Sequence, residues 1–353
     1  MLQSLTQQTF KDMEVIIVED GSSLPCESVV HRYASKLVLR YYKKENSGPG
    51  QTRNYGAEHS QGEWLIFLDS DCVLPPGYLQ AVEEQLSTFN SQLSTVVDAW
   101  GGPDRAHDSF TPVQKAISYS MTSFLTTGGI RGGKKQMDKK FYPRSFNMGI
   151  RRSLYRQLGG FSSMRFGEDI DLSLRIYGSG ANCRLFPEAW VWHKRRTDFK
   201  KFFKQVHNSG IARINLMKRH PGSLKFVHLL PMLFTLGTFA CLLFAFLFLL
   251  LALLGIFALW GMPKPGCANG PMLCIIGGVF GMILFLLPIL LFSLIVFIDS
   301  SVRNKSIKIG ALSIWASFIQ LIGYGTGFLR AWWLRCVCRR NEELQAFKNN
   351  FYT

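Results

Sequence analysis

Charge is missing where it decides the class. From Phe226 onward the 353-residue chain runs through long stretches of Leu, Phe, Ile and Gly with almost no Asp, Glu, Lys or Arg, which excludes a wholly soluble protein as the simplest reading. Paired cysteines are lacking too. Cys26, Cys72, Cys183, Cys241, Cys267, Cys274, Cys336 and Cys338 show no C-x-x-C spacing, so neither a cysteine zinc site nor a disulfide framework is implied, and the pattern suits a reducing compartment. Neither the dinucleotide fingerprint nor the P-loop pattern occurs, and no positively charged, short apolar leader opens the chain. Acids are in deficit, 24 Asp and Glu against 40 Lys and Arg. The bases crowd just before and after the apolar segments, which points to an anionic membrane face and away from nucleic acid.

What is present begins with the apolar run Trp64, Leu65, Ile66, Phe67 and Leu68, continuous rather than alternating and ending at Asp69 and Asp71. Such a run predicts a central parallel strand covered on both faces, with the two carboxylates in a crevice at its carboxyl end. Upstream, residues 1–10 read as a short helix, 14–18 as a strand ending in Glu19, Asp20, Gly21 and Ser22, and 37–41 as a second strand. The stretch NSGPGQTRNYG, residues 46–56, predicts a glycine-rich loop open to close ligand approach, then a helix over 51–59 with Arg53 placed to meet a phosphate. This alternation predicts a parallel sheet with helices on both faces, whose ligands bind beyond the carboxyl strand ends. Glu19, Asp20, Arg53, Asp69 and Asp71 would then share one rim. Pro75 and Pro76 start a helix running to about Phe89, residues 94–100 read as the next strand, and 101–138 as a long connection partly covering the site.

Two carboxylates at i and i+2 on a loop can offer oxygens to one hard cation, Mg²⁺ or Mn²⁺, leaving positions for phosphate oxygens. A solvated turn uses the same letters; the strand placement and Arg53 on the same rim favour the metal. For Asp20 the alternatives are ligand contact and capping of the next helix. A second cluster, Glu168, Asp169 and Asp171, opens a predicted helix ending at Gly178 and Gly180. Capping accounts for at least one of the three; a general base, which needs an acceptor within hydrogen-bond reach, is the other reading. The residues alone do not choose.

LTQQTFKDMEVIIVEDGS, NSGPGQTRNYGAEHSQGEWLIFLDSDC, FNMGIRRSLYRQLGGF and GEDIDLSLRIYGSG, in this order and spacing, resemble the GT-A glycosyltransferases of family 2 over about residues 2–193. The resemblance implies an α/β, GT-A-like (Rossmann-like), mostly parallel sheet domain. It also implies inverting, metal-dependent transfer of a sugar from a nucleotide-sugar, often a UDP-sugar, to an acceptor hydroxyl. On it, Asp20 with Glu19 contacts the nucleotide base, Arg53 faces the donor, and Asp69 and Asp71 form the D-x-D motif with Asp71 the direct metal ligand. Asp169 of the Glu168–Asp169 pair is the implied catalytic base. His193 stands where many relatives place a histidine near the metal or diphosphate; a structural role is the alternative. Asn147, Met148 and Arg151 lie in a stretch that lines the acceptor side in relatives, or else form a plain strand-to-helix turn. Two departures stand out. Relatives begin with a strand and a Pro-x-x-Asn-type loop carrying part of the base pocket, and this sequence starts after them, which predicts weaker donor binding or an upstream segment. Residues 205–214, QVHNSGIARI, lack the Q-x-x-R-W motif of processive synthases, which disfavours a product-threading polymerase.

Residues 194–225 interleave Lys and Arg with Phe, Val and Ile, the pattern of a basic amphipathic helix lying on an anionic membrane surface. Residues 226–334 form the membrane region, with spans at about 229–258 and 272–298 and a third segment, 307–333, interrupted by Gln320, Gly323, Gly325 and Gly327 and read as spanning, re-entrant or interfacial. Arg303, Lys305 and Lys308 follow the second span and Arg330, Arg335, Arg339 and Arg340 follow the third, while the link between the first two holds only Lys264. The catalytic domain and the tail, 335–353, are therefore expected on the cytoplasmic side, with an even number of crossings. The expected activity is transfer to a hydroxyl of a lipid-linked or cell-envelope glycan acceptor at the cytoplasmic membrane face, with membrane lipids as further partners. A polyprenyl-phosphate glycosyltransferase and a catalytically silent nucleotide-sugar- or partner-binding subunit are the alternatives.

Overall fold

A computed structural model describes residues 1–92, 96–128, 141–260 and 269–344. An α/β region comes first, with helices α1 (Leu2–Thr6), α2 (Glu27–His31), α3 (Pro49–Glu58), α4 (Tyr78–Gln92), α5 (Pro112–Thr122), α6 (Phe124–Thr127), α7 (Arg152–Gln157) and α8 (Glu168–Gly178). Its strands are β1 (Val15–Asp20), β2 (Leu39–Lys44), β3 (Trp64–Leu68), β4 (Cys72–Val73), β5 (Ala99–Gly101), β6 (Asp104–Arg105), β7 (Asn147–Arg151), β8 (Cys183–Leu185) and β9 (Val191–His193). Four long helices follow: α9 (Phe199–Arg219), α10 (Phe226–Trp260), α11 (Asn269–Asn304) and α12 (Ile307–Trp332), the last continuing into a π-helical turn, Trp333–Val337. The α/β class and the helical carboxyl-terminal region are as expected from the sequence.

The sheet differs from expectation. It is mixed rather than mostly parallel, and it is divided. β1 and β2 pair in parallel as a separate two-stranded ribbon, β3-β7-β5-β8 form a second sheet and β4-β9-β6 a third. β7 runs antiparallel to both β3 and β5, so the strand-helix alternation at the start of the chain does not extend through the sheet. The continuous apolar run of β3 is nonetheless covered on both faces. Trp64, Ile66 and Leu68 pack against a core around Trp100, Phe186 and Tyr78, while Phe67 joins Leu65 in a second core with Met148, Ile150, Leu172 and Ile176. Alternate residues of a strand face opposite sides, so two cores need apolar residues at every position.

The connection read over 101–138 contains β6, α5 and α6; its residues 129–138 lie outside the described residues, as do the start of the 94–100 strand, the Lys264 link and the end of the tail, residues 345–353. Helix α5 starts with a capping box in which Thr111 accepts from the Gln114 N–H and the Gln114 side chain accepts from the Thr111 N–H, a signal that marks a helix start.

Helix α9 turns its apolar face into the protein. Phe202 and Val206 pack with α5 and α12 residues such as Ile117 and Ala316, and Ile211 and Ile214 pack with Phe328 and Ala331 of α12. The helix read from its pattern as lying on a bilayer thus spends that face on α12, and Arg195, counted with the surface bases, is buried in an ion pair with Asp104. The α12 glycines that look like interruptions are contact points in a continuous helix. A side chain at Gly323 would collide with Val206, and one at Gly327 with the His207 carbonyl; glycine there lets two backbones approach closely.

Among the described residues, three helices are long and apolar enough to cross a membrane: α10, α11 and Ile307–Val337. At about 1.5 Å per residue, the 35 residues of α10 and 36 of α11 exceed the roughly 30 Å of a bilayer core. Leu254, Phe257, Leu273 and Phe280 stand exposed on their outer faces, an arrangement water would disfavour and lipid would not.

Candidate active site

A cavity of about 1330 Å³ opens where the α/β region meets α9, α10 and α12. Asp20, Arg53, Asp69, Asp71, Glu168, Asp169 and His193 all border it. Glu19, Asn147 and Arg151 do not.

The register explains how the acids meet. β3 ends at Leu68, opposite Asn147 of β7, and Asp69 to Asp71 turn directly into β4. There Cys72 pairs with His193 of β9, which brings the His193 Nε2 to 3.3 Å from the Asp71 Oδ1 and 3.8 Å from the Asp69 Oδ2. Phe146 stacks on the imidazole with 4.7 Å between ring centres. Burial would raise the Asp71 carboxyl, but His193 and the charge of Arg196 hold it below its ordinary range. Asp104 stands behind the ring, 4.0 Å from its Nδ1.

Arg53 links the two acid clusters. Its guanidinium donates to the Asp69 Oδ1 at 2.8 Å and to the Glu168 Oε1 at 2.9 Å, so the group read as meeting a donor phosphate is engaged by two carboxylates. Glu168 is buried, and burial first, then the adjacent Asp169, raise its carboxyl above the ordinary range while Arg53 offsets part of the effect. The side chain of Asp169 is more exposed to the cavity, at 16% against 8% for Glu168. Its Oδ1 accepts from the Ile170 N–H at 2.8 Å and its Oδ2 lies 3.5 Å from Arg144. Asp171, the third acid of the cluster, faces away. It accepts from His220 at 2.8 Å and from Arg175 at 2.8 and 3.0 Å; burial raises its carboxyl, and these partners bring it below the ordinary range.

Asp20 holds the glycine-rich loop. Its Oδ1 accepts from Lys44 at 2.6 Å and from the Ser47 N–H at 2.9 Å, and its Oδ2 accepts from the Gly48 N–H at 2.9 Å. Gly48 sits at φ +90° as the cap of α3, a conformation that costs other residues energy. The loop N–H groups expected to face a ligand are thus spent on a carboxylate. Glu19 lies on the opposite face of β1, by strand alternation, buried and accepting from the Cys26 N–H at 2.9 Å and the Tyr41 hydroxyl at 2.7 Å.

Asn147 and Arg151 are structural. Asn147 is fully buried, its Oδ1 accepting from the Tyr78 hydroxyl at 2.7 Å and its Nδ2 donating to the Ala189 carbonyl at 2.8 Å. Arg151 pairs in register with Trp64 at the far end of β3, lies over its ring and ion-pairs with Glu63. Five residues of antiparallel strand, roughly 17 Å, separate it from the Asp69 end. Sequence reasoning missed Arg144, Phe146 and Asp104; the first two precede β7 in YPRSFN and the third follows Gly-Gly-Pro after β5, a loop signal at a strand end.

The donor set suits a hard divalent cation. Asp71, Cys72 and His193 offer ligand atoms within 4.8 Å of one another. The Cys72 thiol is buried and held far above its ordinary range by burial and then by Asp69 and Asp71, so it stays protonated and leaves carboxylate oxygen and imidazole nitrogen as the ligands.

These features have counterparts in known proteins. The chain is 26% identical over 227 residues to the "Pre-mycofactocin glycosyltransferase" of Mycobacterium tuberculosis, covering 60% of this chain and 44% of that protein. It is 26% identical over 204 residues to the "Probable glycosyltransferase YdaM" of Bacillus subtilis, covering 55% and 46%. The chain thus spans under half the length of these relatives. Among solved structures it resembles the mannosyltransferase PcManGT from Pyrobaculum calidifontis in complex with GDP-Man and Mn²⁺, at 17% identity and a TM-score of 0.46, covering 63% of this chain and 60% of that one. The sequence model of "Glycosyl transferase family 2" matches residues 1–159, the stretch that carries Asp20, Arg53, Asp69 and Asp71, and it is this family that the chain resembles.

Proposed function

We propose that this chain is an inverting glycosyltransferase, moving a sugar from a nucleotide-sugar, with UDP-sugars the expected donors, to a hydroxyl of a lipid-linked or envelope glycan acceptor at the cytoplasmic membrane face. One observation carries the reading: a single cavity is lined by the Asp69–Asp71–His193 group and by Asp169, and runs on to α10 and α12. A direct displacement needs those two sides.

Asp71 and His193, with Asp69 beside them, would hold Mg²⁺ or Mn²⁺. Bound there, the cation would neutralise charge building on the departing diphosphate. Asp169 takes the proton from the acceptor hydroxyl as that oxygen bonds to the anomeric carbon and the bond from carbon to the diphosphate oxygen breaks. Arg144 stands 3.5 Å from the Asp169 Oδ2. Glu168 does not serve as the base, because Arg53 occupies its carboxylate; it positions Arg53 and, through it, Asp69. Two acid clusters joined by one guanidinium keep leaving-group and acceptor sides at a set spacing.

The membrane role rests on the three long apolar helices. The cavity wall formed by Val227, Leu230 and Leu321 gives a lipid-borne acceptor an apolar approach.

Hydrolysis of a panel of nucleotide-sugars by the full chain in detergent tests the proposal, since slow hydrolysis reports the donor without knowledge of the acceptor. Asp169→Asn is expected to lower transfer by roughly 10²–10⁴-fold, the usual worth of a positioned base, while donor binding persists. Unchanged transfer would remove Asp169 from the mechanism; hydrolysis of no donor would remove the glycosyltransferase reading.

A further inference from the structure

Where α9, α10 and α12 line the cavity, they carry positive charge that donor chemistry does not use. Arg213 of α9 borders it together with His228 of α10 and Tyr324 of α12. The Arg213 Nε is buried without a hydrogen-bond partner among the described residues, and its guanidinium lies against the Tyr324 hydroxyl. Arg213, Lys225 and Arg144 all lie within electrostatic reach of the His228 ring. Lys225 donates to the Tyr142 hydroxyl at 3.0 Å and Arg144 faces Asp169, while Arg213 makes no ion pair with a carboxylate among the described residues. Val227, Leu230, Pro231 and Leu321 line the same cavity, on helices long and apolar enough to span a bilayer.

Arg213 is half-buried, and a cation with part of its guanidinium out of water gains from an anion beside it. The proposed function assigns the donor diphosphate to the Asp71–His193 group, so an anion beside Arg213 belongs to another molecule. The apolar wall shows what that molecule is attached to. The wall is also close to the base: α9 touches the cap of α8 where Ala212 and Leu216 meet Gly167, and Arg213 is the next residue after Ala212.

We propose that Arg213, supported by Arg144 and His228, binds the phosphate of an acceptor whose hydroxyl is carried by a phosphate- or diphosphate-linked apolar chain. The assignment rests on the glycosyltransferase reading and names the acceptor class of the same site. The phosphate anchors the acceptor and takes no part in bond making; the hydroxyl loses its proton to Asp169.

The experiment measures equilibrium binding of a labelled polyprenyl phosphate to the detergent-solubilised full chain, with the matching polyprenol, inorganic phosphate and phosphatidylglycerol vesicles as competitors. Polyprenyl phosphate is expected to bind about tenfold tighter than polyprenol, a difference of about 1.4 kcal/mol. Arg213→Gln should shrink that ratio below about threefold, and Arg213→Lys should retain most of it. Thermal melting serves as the folding control, and should Arg213→Gln fail to fold, Leu230→Trp, which narrows the apolar approach, should weaken phosphate and alcohol alike. Equal binding of phosphate and alcohol, or full discrimination in Arg213→Gln, would overturn the assignment. So would displacement by inorganic phosphate at matched concentration, which would mean a free-anion site, or by phosphatidylglycerol, which would mean a general headgroup site. Donor hydrolysis by the unaltered protein separates the failures. With hydrolysis present and no phosphate discrimination, only this assignment falls; with no hydrolysis of any donor, the underlying reading falls too.

Discussion

Replacing Arg53 with Gln removes the one cation that touches both acid clusters, and its cost should depend on pH in a direction the structure dictates. Glu168 is buried and Asp69 is half-buried, with side-chain exposures of 8% and 33%. Most of the penalty therefore falls on Glu168, because water screens the Asp69 partner. Stripping one member from a buried pair costs about 3–5 kcal/mol if the remaining charge stays, but Glu168 can escape by taking a proton. Relative to an unfolded chain with an ordinary carboxyl of 4.5, the escape costs about 1.4 kcal/mol per pH unit above that value. The parent already bears most of this cost, because its own Glu168 is raised to about 7 with Arg53 in place, so removing Arg53 adds at most about 1 kcal/mol at pH 7.5 and close to nothing at pH 5.

The sign follows from proton counting. A carboxyl raised in the folded state binds more protons folded than unfolded, so stability falls as pH climbs through the interval between the ordinary and the raised value. Arg53 moderates this in the parent protein, and its removal widens the interval. Melting of the purified full chain and of Arg53→Gln, followed at pH 5 and pH 7.5, should show almost no gap at the lower pH. The gap should grow to roughly 2–4 °C at the higher pH, at about 2–4 °C per kcal/mol. A gap independent of pH would refute the view that Arg53 compensates a buried Glu168. No gap at either pH would refute the pairing altogether.

Asp71→Ala should abolish the stimulation of donor binding by Mn²⁺ or Mg²⁺, read by titrating the cation against a fluorescent nucleotide-sugar; indifference would remove the cation from this position. Gly327→Val should push α12 off the His207 carbonyl and destabilise the chain by roughly 1–3 kcal/mol, visible as a lower melting temperature, whereas a matched change at Gly237, which has nothing within 4 Å, should be near neutral.

How much of this could be read from the letters depended on how far apart the partners lie. β3 was legible to the residue because its apolar run is local and is bounded by Gly62 and Asp69. The Asp69–Asp71 turn and the acids of α8 were legible as chemistry, yet their junction through Arg53 spans 115 positions to Glu168 and leaves no local trace. The alternation of strands and helices up to Leu68 suggested one parallel sheet, but it carries no information on which strand sits beside β3, and β7 takes that place in the opposite direction. FNMGIRR announced a strand without saying which end faces the cavity. The register that pairs Trp64 with Arg151 then sent Arg151 to the wrong end and Asn147 into the core. The α12 glycines were misread for a related reason: a residue that breaks an isolated helix is the same residue that lets two helices touch, and only the neighbour decides.

The close seating of α9 on α12 leaves the catalytic acid without a soft joint to the bilayer. α9 meets α12 backbone to backbone at Gly210 and Gly327, lays Val206 on Gly323, and meets the α8 cap at Gly167, while His220 at its end holds Asp171. A helix that tilts to match a thinner membrane would carry α9 with it and move the cap from which Asp169 projects. Lipid chain length thereby becomes a variable of the reaction itself, and the same purified protein should turn over at different rates in bilayers that differ only in thickness.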